Sequence, residues 1–87
     1  MDEGKRRQEI STGAQAEAIL RNPVFEETFD YLINHYNTQL LNTLPEQHEE
    51  RERIYYQIRA LRHVREEIEN VMQTGYMAEK ELGENLH

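Results

Sequence analysis

The sequence predicts an all-α protein, built as an antiparallel helical hairpin with a short extra helix on its N-terminal side and completed by self-association. Two long segments carry apolar residues at steps of three and four, which is the period of one face of an α-helix. The connection between them is short, and a short connection makes two helices antiparallel neighbours. The 87 residues include no cysteine, so the chain is expected to form one domain with a thin core and no disulfide. A second copy is the remaining source of stabilising contacts.

The longest predicted helix runs from Pro45 to Thr74, and the other elements are expected to pack against it. Thr43 and Glu46 have the spacing of a capping box, although a cap as late as Gln47 fits the sequence equally well. Gly75 is the predicted C-terminal stop. The apolar stripe of this helix consists of Ile54, Ile58, Leu61, Val64, Ile68 and Val71.

A second long helix is predicted from Pro23 to Asn42. Asn22 is a favoured N-cap, and Pro23 fits the first helical turn. The stripe of this helix is rich in aromatic residues and consists of Phe25, Phe29, Leu32, Ile33, Tyr36 and Leu40. Across both helices, the residues predicted to form the core or the contact between copies are Phe25, Phe29, Leu32, Tyr36, Ile58, Leu61, Val64, Ile68 and Val71.

The N-terminal region predicts a short helix preceded by a charged arm. Ser11 or Thr12 can cap a helix that ends at Arg21, whereas residues 1–9 have no apolar period and are expected to be solvated. Residues 1–10 and 83–87 are predicted flexible ends. One loose turn is predicted between Gly75 and the C-terminal flexible end, over residues 76–82. The Pro45 helix would be about 45 Å long at about 1.5 Å per residue, longer than the Pro23 helix can cover. The leftover stripe near residues 68–72 is expected to contact the N-terminal helix, a second copy, or both.

The charge of the chain argues against general attraction to nucleic acid or anionic lipid. Seventeen acidic and ten basic side chains give a formal net charge of -7. No apolar run approaches the roughly 20 residues of a membrane span, and the first residues lack the apolar region of a secretory signal. A soluble protein without membrane contact is therefore expected.

No motif in the sequence predicts catalysis, a cofactor site or a metal site. The four histidines are scattered and lack the HExxH spacing of a zinc enzyme: His35, His48, His63 and His87. There is also no glycine-rich phosphate loop. The sequence therefore predicts a protein that is not an enzyme.

Arginines are concentrated in the Pro45 helix, where most of them have acidic neighbours. The predicted ion pairs at spacing i, i+4 are Glu49 with Arg53, Arg62 with Glu66, and Arg65 with Glu69. Such pairs are typical of a solvated helix face. The candidate contacts for a phosphate or an acidic partner are a patch of Arg59, Arg62 and His63, and an arm of Lys5, Arg6 and Arg7.

The region from Ala14 to Met77 resembles small, mostly uncharacterised helical proteins of tailed bacteriophages. Those proteins pair an A-x-x-L-x-N-P-V-F-like opening with an R-E-x-[LI]-like second helix and a terminal glycine. The matching positions here are Ala18 (or Ala16), Leu20, Asn22, Pro23, Val24, Phe25, Phe29, Arg51, Glu52, Leu61, Val64 and Gly75.

Genes for such proteins often lie among those for head assembly and packaging, so the resemblance implies protein–protein contact in virion assembly or DNA packaging. The expected form is a homo-oligomer in the host cytoplasm or the virion, with a larger phage or host protein as partner. Two alternatives remain open: an acidic inhibitor or adaptor that docks on a host protein, and a DNA-recognition subunit similar to small terminases. Binding of the isolated chain to nucleic acid is expected to be weak.

Overall fold

The computed structural model describes residues 2–85, and within this range the chain forms three α-helices and no strand. They are α1 (Glu3–Leu20), α2 (Pro23–Leu41) and α3 (His48–Asn85). The predicted all-α class is therefore confirmed. Met1, Leu86 and His87 lie outside the described residues. The prediction of flexible ends is therefore not compared with the structure at these three positions.

Helix α2 begins where its sequence signals place it. Asn22 has an extended backbone (φ -68°, ψ 123°), and its side-chain oxygen accepts hydrogen bonds from the N–H groups of Val24 (2.9 Å) and Phe25 (3.1 Å). Pro23 occupies the first helical turn, where its missing N–H costs nothing. The helix ends at Leu41, one residue before the predicted Asn42.

Helix α1 is longer than predicted, because it begins at Glu3 rather than at Ser11 or Thr12. The face of α1 that contacts α3 is narrow and built of small residues, and Gly13 and Ala16 are its buried positions. A pattern search for large apolar residues does not detect such a face. Near the start of the helix, the Arg6 guanidinium lies 2.7 Å from the Glu81 carboxylate of α3. Residues 3–9, predicted as a solvated arm that precedes the helix, thus belong to the helix itself, although most of them are exposed.

Helix α3 begins at His48, so the later of the two predicted starts is the correct one. The capping box of Thr43 and Glu46 does not form. Instead the Thr43 hydroxyl donates to the Leu40 carbonyl (2.6 Å), and the Leu44 N–H donates to the side chain of Gln47 (2.7 Å). These bonds complete a turn between α2 and α3.

The predicted stop of α3 at Gly75 is wrong, because the helix continues without a break to Asn85. A glycine stop needs a left-handed backbone, and no described glycine has a positive φ. Gly75 instead allows α1 to approach closely. A Cβ on Gly75 would stand 2.9 Å from the Gly13 Cα, and also 2.9 Å from the Glu9 carbonyl oxygen.

Helices α1 and α2 follow one another along α3. Helix α1 contacts the C-terminal half of α3 through Gly13 and Gly75, whereas α2 contacts the N-terminal half. In the α2 contact, the Arg65 guanidinium lies 5.0 Å from the centre of the Phe29 ring. In the turn that follows α2, the Thr43 hydroxyl oxygen accepts a hydrogen bond from Arg51 (2.8 Å). The resulting particle is elongated, with extents of 62 × 25 × 16 Å.

The fully buried apolar core of the single chain is small. It consists of Ala16, Ile54, Ile58 and Ala78, and α2 contributes no buried residue. Of the residues predicted for the core or the contact between copies, Ile58 is buried, whereas Val64 (57%) and Val71 (38%) are exposed in the single chain. The others are half-buried: Phe25, Phe29, Leu32, Tyr36, Leu61 and Ile68.

Candidate functional site

An apolar groove lies between α2 and α3, and we call it the open groove. It has a volume of about 460 Å³. Its lining contains no charged side chain, although the chain carries a net charge of -7. The lining residues are Asn22, Val24, Phe25, Thr28, Phe29, Leu32, Leu61 and Val64.

Val64 stays exposed in the open groove because α1 contacts only the C-terminal half of α3. Val64, Val71 and Ala78 stand seven residues apart and therefore share one face of the helix. Helix α1 covers the C-terminal part of this face, where Ala78 is 3% exposed. Helix α2 contacts the N-terminal half of α3, where Ile58 is buried and the Arg65 guanidinium lies 5.0 Å from the centre of the Phe29 ring. Val64 is left uncovered beyond the end of α1.

A second feature is a surface of aromatic and basic side chains on α3, which we call the Tyr–Arg surface. It consists of Tyr55, Tyr56, Arg59, Arg62 and His63, which are exposed and line one shallow hollow together with Ala60 and the acidic Glu66. The Arg59 guanidinium lies 6.0 Å from the centre of the Tyr55 ring and 3.4 Å from its hydroxyl. The Tyr55 and Tyr56 rings stand edge to face at 5.7 Å. The structure thus brings the predicted Arg59, Arg62 and His63 patch together.

Sequence reasoning did not include the two tyrosines in this patch. A usable signal was present, because residues three and four positions apart are neighbours on a helix surface. Tyr55 and Tyr56 stand four and three residues before Arg59. The tyrosines add aromatic area to a patch that was predicted from charge alone.

Arg59 and Arg62 differ from the other arginines of α3 in their surroundings. Within residues 2–85, no carboxylate lies within 4.0 Å of either guanidinium, so the predicted pair of Arg62 with Glu66 is not formed. The predicted pair of Arg65 with Glu69 is present at 3.2 Å. Basic charge on the Tyr–Arg surface is therefore available to an acidic partner.

Arg53 is paired with Glu50, three residues before it, rather than with the predicted Glu49. Its Nε donates to a Glu50 carboxylate oxygen at 3.2 Å. This hydrogen bonding, together with the positive charge of Arg53, holds the pKa of the Glu50 carboxyl below its usual value. Both groups are solvent-exposed, so the pair contributes little to stability.

The basic residues of the predicted N-terminal arm lie elsewhere. Arg6 is bonded to Glu81, and the Arg7 guanidinium lies 4.0 Å from Glu3 on its own helix. Glu81 stands nineteen residues beyond Arg62 along α3, about 28 Å at about 1.5 Å per residue. The arm of Lys5, Arg6 and Arg7 and the Tyr–Arg surface are therefore separate sites.

In the part of the chain that the structure describes, histidine and acidic side chains form no group of three or more that could hold a metal ion. His87 lies outside that part. None of the described helices is long and apolar enough to cross a membrane. Compared with protein families, with curated proteins and with solved structures, the chain matches none.

Proposed function

We propose that this chain is a non-enzymatic protein that acts through protein–protein contact, as a helical homo-oligomer, in the virion assembly or DNA packaging of a tailed bacteriophage. The observation that carries self-association is the surface area of the single chain. It exposes 6808 Å². A compact folded protein of 10.4 kDa exposes about 5,400 Å².

Helix α2 is one source of the surplus of about 1,400 Å². Helix α2 has no fully buried residue, although Phe25, Phe29 and Leu32 line one face of it. A helix in water is stabilised mainly by the packing of its apolar face. We infer that α2 and α3 form a hairpin and that contacts with another copy complete its packing.

The phage setting is supported by the resemblance to small proteins of tailed bacteriophages. Six of the eight residues that line the open groove are positions of that resemblance: Asn22, Val24, Phe25, Phe29, Leu61 and Val64. The resembling residues therefore form most of the lining of the open groove.

The first prediction is that thermal stability rises with protein concentration. An oligomer is favoured by mass action, so a tenfold increase in concentration should raise the melting temperature measurably. Sedimentation equilibrium over the same concentrations should give a mass above 10.4 kDa. A chain that stays monomeric at every concentration, with an unchanged melting temperature, would contradict self-association.

The partner of the oligomer is tested by affinity purification of a tagged copy from infected cells. Capsid, portal or terminase proteins among the recovered partners support the assembly or packaging role. Recovery of one host protein instead would favour the acidic adaptor. A matched tagged sample from uninfected cells identifies host proteins that bind without any phage component.

A role in DNA recognition is the second candidate, because Arg59 and Arg62 have no carboxylate partner in the described chain. The second prediction is that binding to duplex DNA is weak and non-specific, since the net charge of -7 repels phosphate. If two phosphate contacts form, affinity should fall about tenfold between 50 and 200 mM salt. Fluorescence anisotropy with two unrelated duplexes measures both quantities.

The double variant Arg59→Glu with Arg62→Glu should abolish this residual binding. Arg53→Glu is the matched control on the same helix, because Arg53 is already paired with Glu50. Tight, salt-resistant binding that distinguishes the two duplexes would place the terminase-like DNA-recognition role ahead of the assembly role.

A further inference from the structure

We propose that the open groove is the docking site for a second copy of this chain, which presents its own open groove in return. The inference rests on the self-association proposed above and adds the surface through which it occurs. Such an interface is isologous: the same residues contact each other from both copies, and the assembly closes at two.

Helices α1 and α2 leave part of one face of α3 exposed, and another chain can cover it. The face that carries Val64, Val71 and Ala78 is covered by α1 only in its C-terminal part, where Ala78 is buried and a Cβ on Gly13 would stand 3.3 Å from the Val71 carbonyl oxygen. After Leu20 the chain turns at Asn22, which itself lines the open groove. No described segment of the chain continues over Val64.

The chemistry of the groove selects an apolar occupant. Val24 is 70% exposed and Val64 is 57% exposed, and they stand with the half-buried Phe25, Leu32 and Leu61. Burial of this apolar lining is the favourable term in association. A contiguous apolar surface on an otherwise charged protein is typical of an interaction site.

Charge favours groove-to-groove contact between two copies. Each chain carries a charge of -7, so two copies repel one another over most of their surface. The lining of the open groove is uncharged, and contact there brings no like charges face to face. Because salt screens the remaining repulsion, association should strengthen between 0.05 and 0.5 M sodium chloride.

The available area is sufficient for a stable dimer. The single chain has a surplus of about 1,400 Å² over a compact protein of its mass. A standard interface buries about 800 Å² on each partner. The surplus of the whole chain is therefore larger than the area that each partner buries in a standard interface.

Two variants of equal charge test the docking surface. Val64→Lys places a charge in the open groove, whereas Met77→Lys places the same charge at a position of the same helix with almost the same exposure, 58%. A charge buried without a partner is strongly unfavourable, so Val64→Lys should weaken self-association about 100-fold or more. Met77→Lys should leave the dissociation constant within a few-fold of the unaltered chain. Sedimentation equilibrium measures all three proteins.

A measurement on the unaltered chain keeps the test decisive if Val64→Lys fails to fold. The methyl resonances of Val24 and Val64 should shift in NMR spectra as the protein concentration is raised, whereas the Met77 methyl resonance should not. A chain that self-associates with unmoved Val24 and Val64 resonances, or with Val64→Lys unaffected, would overturn this docking site and leave self-association intact. A chain that stays monomeric would overturn both.

Discussion

Replacement of Gly75 by alanine is expected to destabilise the protein, although alanine is the better helix former. The new Cβ would stand 2.9 Å from the Gly13 Cα and from the Glu9 carbonyl oxygen, both of which belong to the backbone of α1. Backbone cannot move aside as a side chain can, so α1 must separate from α3. Overpacking of this kind costs about 1–3 kcal/mol, which outweighs the gain in helix propensity of about 1 kcal/mol.

Gly83→Ala is the matched control for Gly75→Ala. Gly83 lies on the same helix, and a Cβ there would meet no atom within 4 Å. Only the propensity term remains, so Gly83→Ala should raise the free energy of unfolding by up to about 1 kcal/mol. Urea unfolding at one fixed protein concentration compares the two variants. Equal stabilisation by both would mean that α1 does not lie against α3 at Gly75.

Replacement of Ile54 by alanine is expected to be the most damaging truncation in the chain. Ile54 is 1% exposed, the lowest value among the buried apolar residues. Removal of a buried isoleucine side chain costs about 2–5 kcal/mol, a large share of the stability of a small domain. Thermal and urea unfolding should both report this loss.

Two further truncations on α3 test whether the loss of stability decreases as the exposure of the side chain increases. Leu61 is half-buried, so Leu61→Ala should cost less than Ile54→Ala. Met77 is 58% exposed, and Met77→Ala should change stability by less than about 0.5 kcal/mol. If Met77→Ala cost as much as Ile54→Ala, the difference in burial between these two positions would be wrong.

The start of α2 shows which features of this protein its sequence determines alone. Asn22 and Pro23 are adjacent, and both act on the first turn of the helix that they begin. The late start of α3, at His48, was one of two starts that local signals allowed, and the Gln47 bond to Leu44 selects it. Local chemistry is sufficient here because the interacting groups are only a few residues apart.

The two candidate sites differ in whether the sequence alone predicts them. Arg59, Arg62 and His63 are close along one helix, so their grouping follows from helical spacing, and the same spacing includes Tyr55 and Tyr56. The open groove could not be obtained from spacing. It depends on where α1 and α2 lie along α3, which leaves Val64 exposed.

Gly13 and Gly75 mark the limit of what the sequence determines. A glycine near the end of an apolar period is usually a helix stop, because only glycine adopts a left-handed backbone without strain. The same residue also permits two helices to cross at backbone contact, since it lacks a Cβ. Gly13 and Gly75 are 62 positions apart, so no local signal distinguishes the two uses. The length of α3 and the placement of α1 were therefore decided only by the tertiary contact between them.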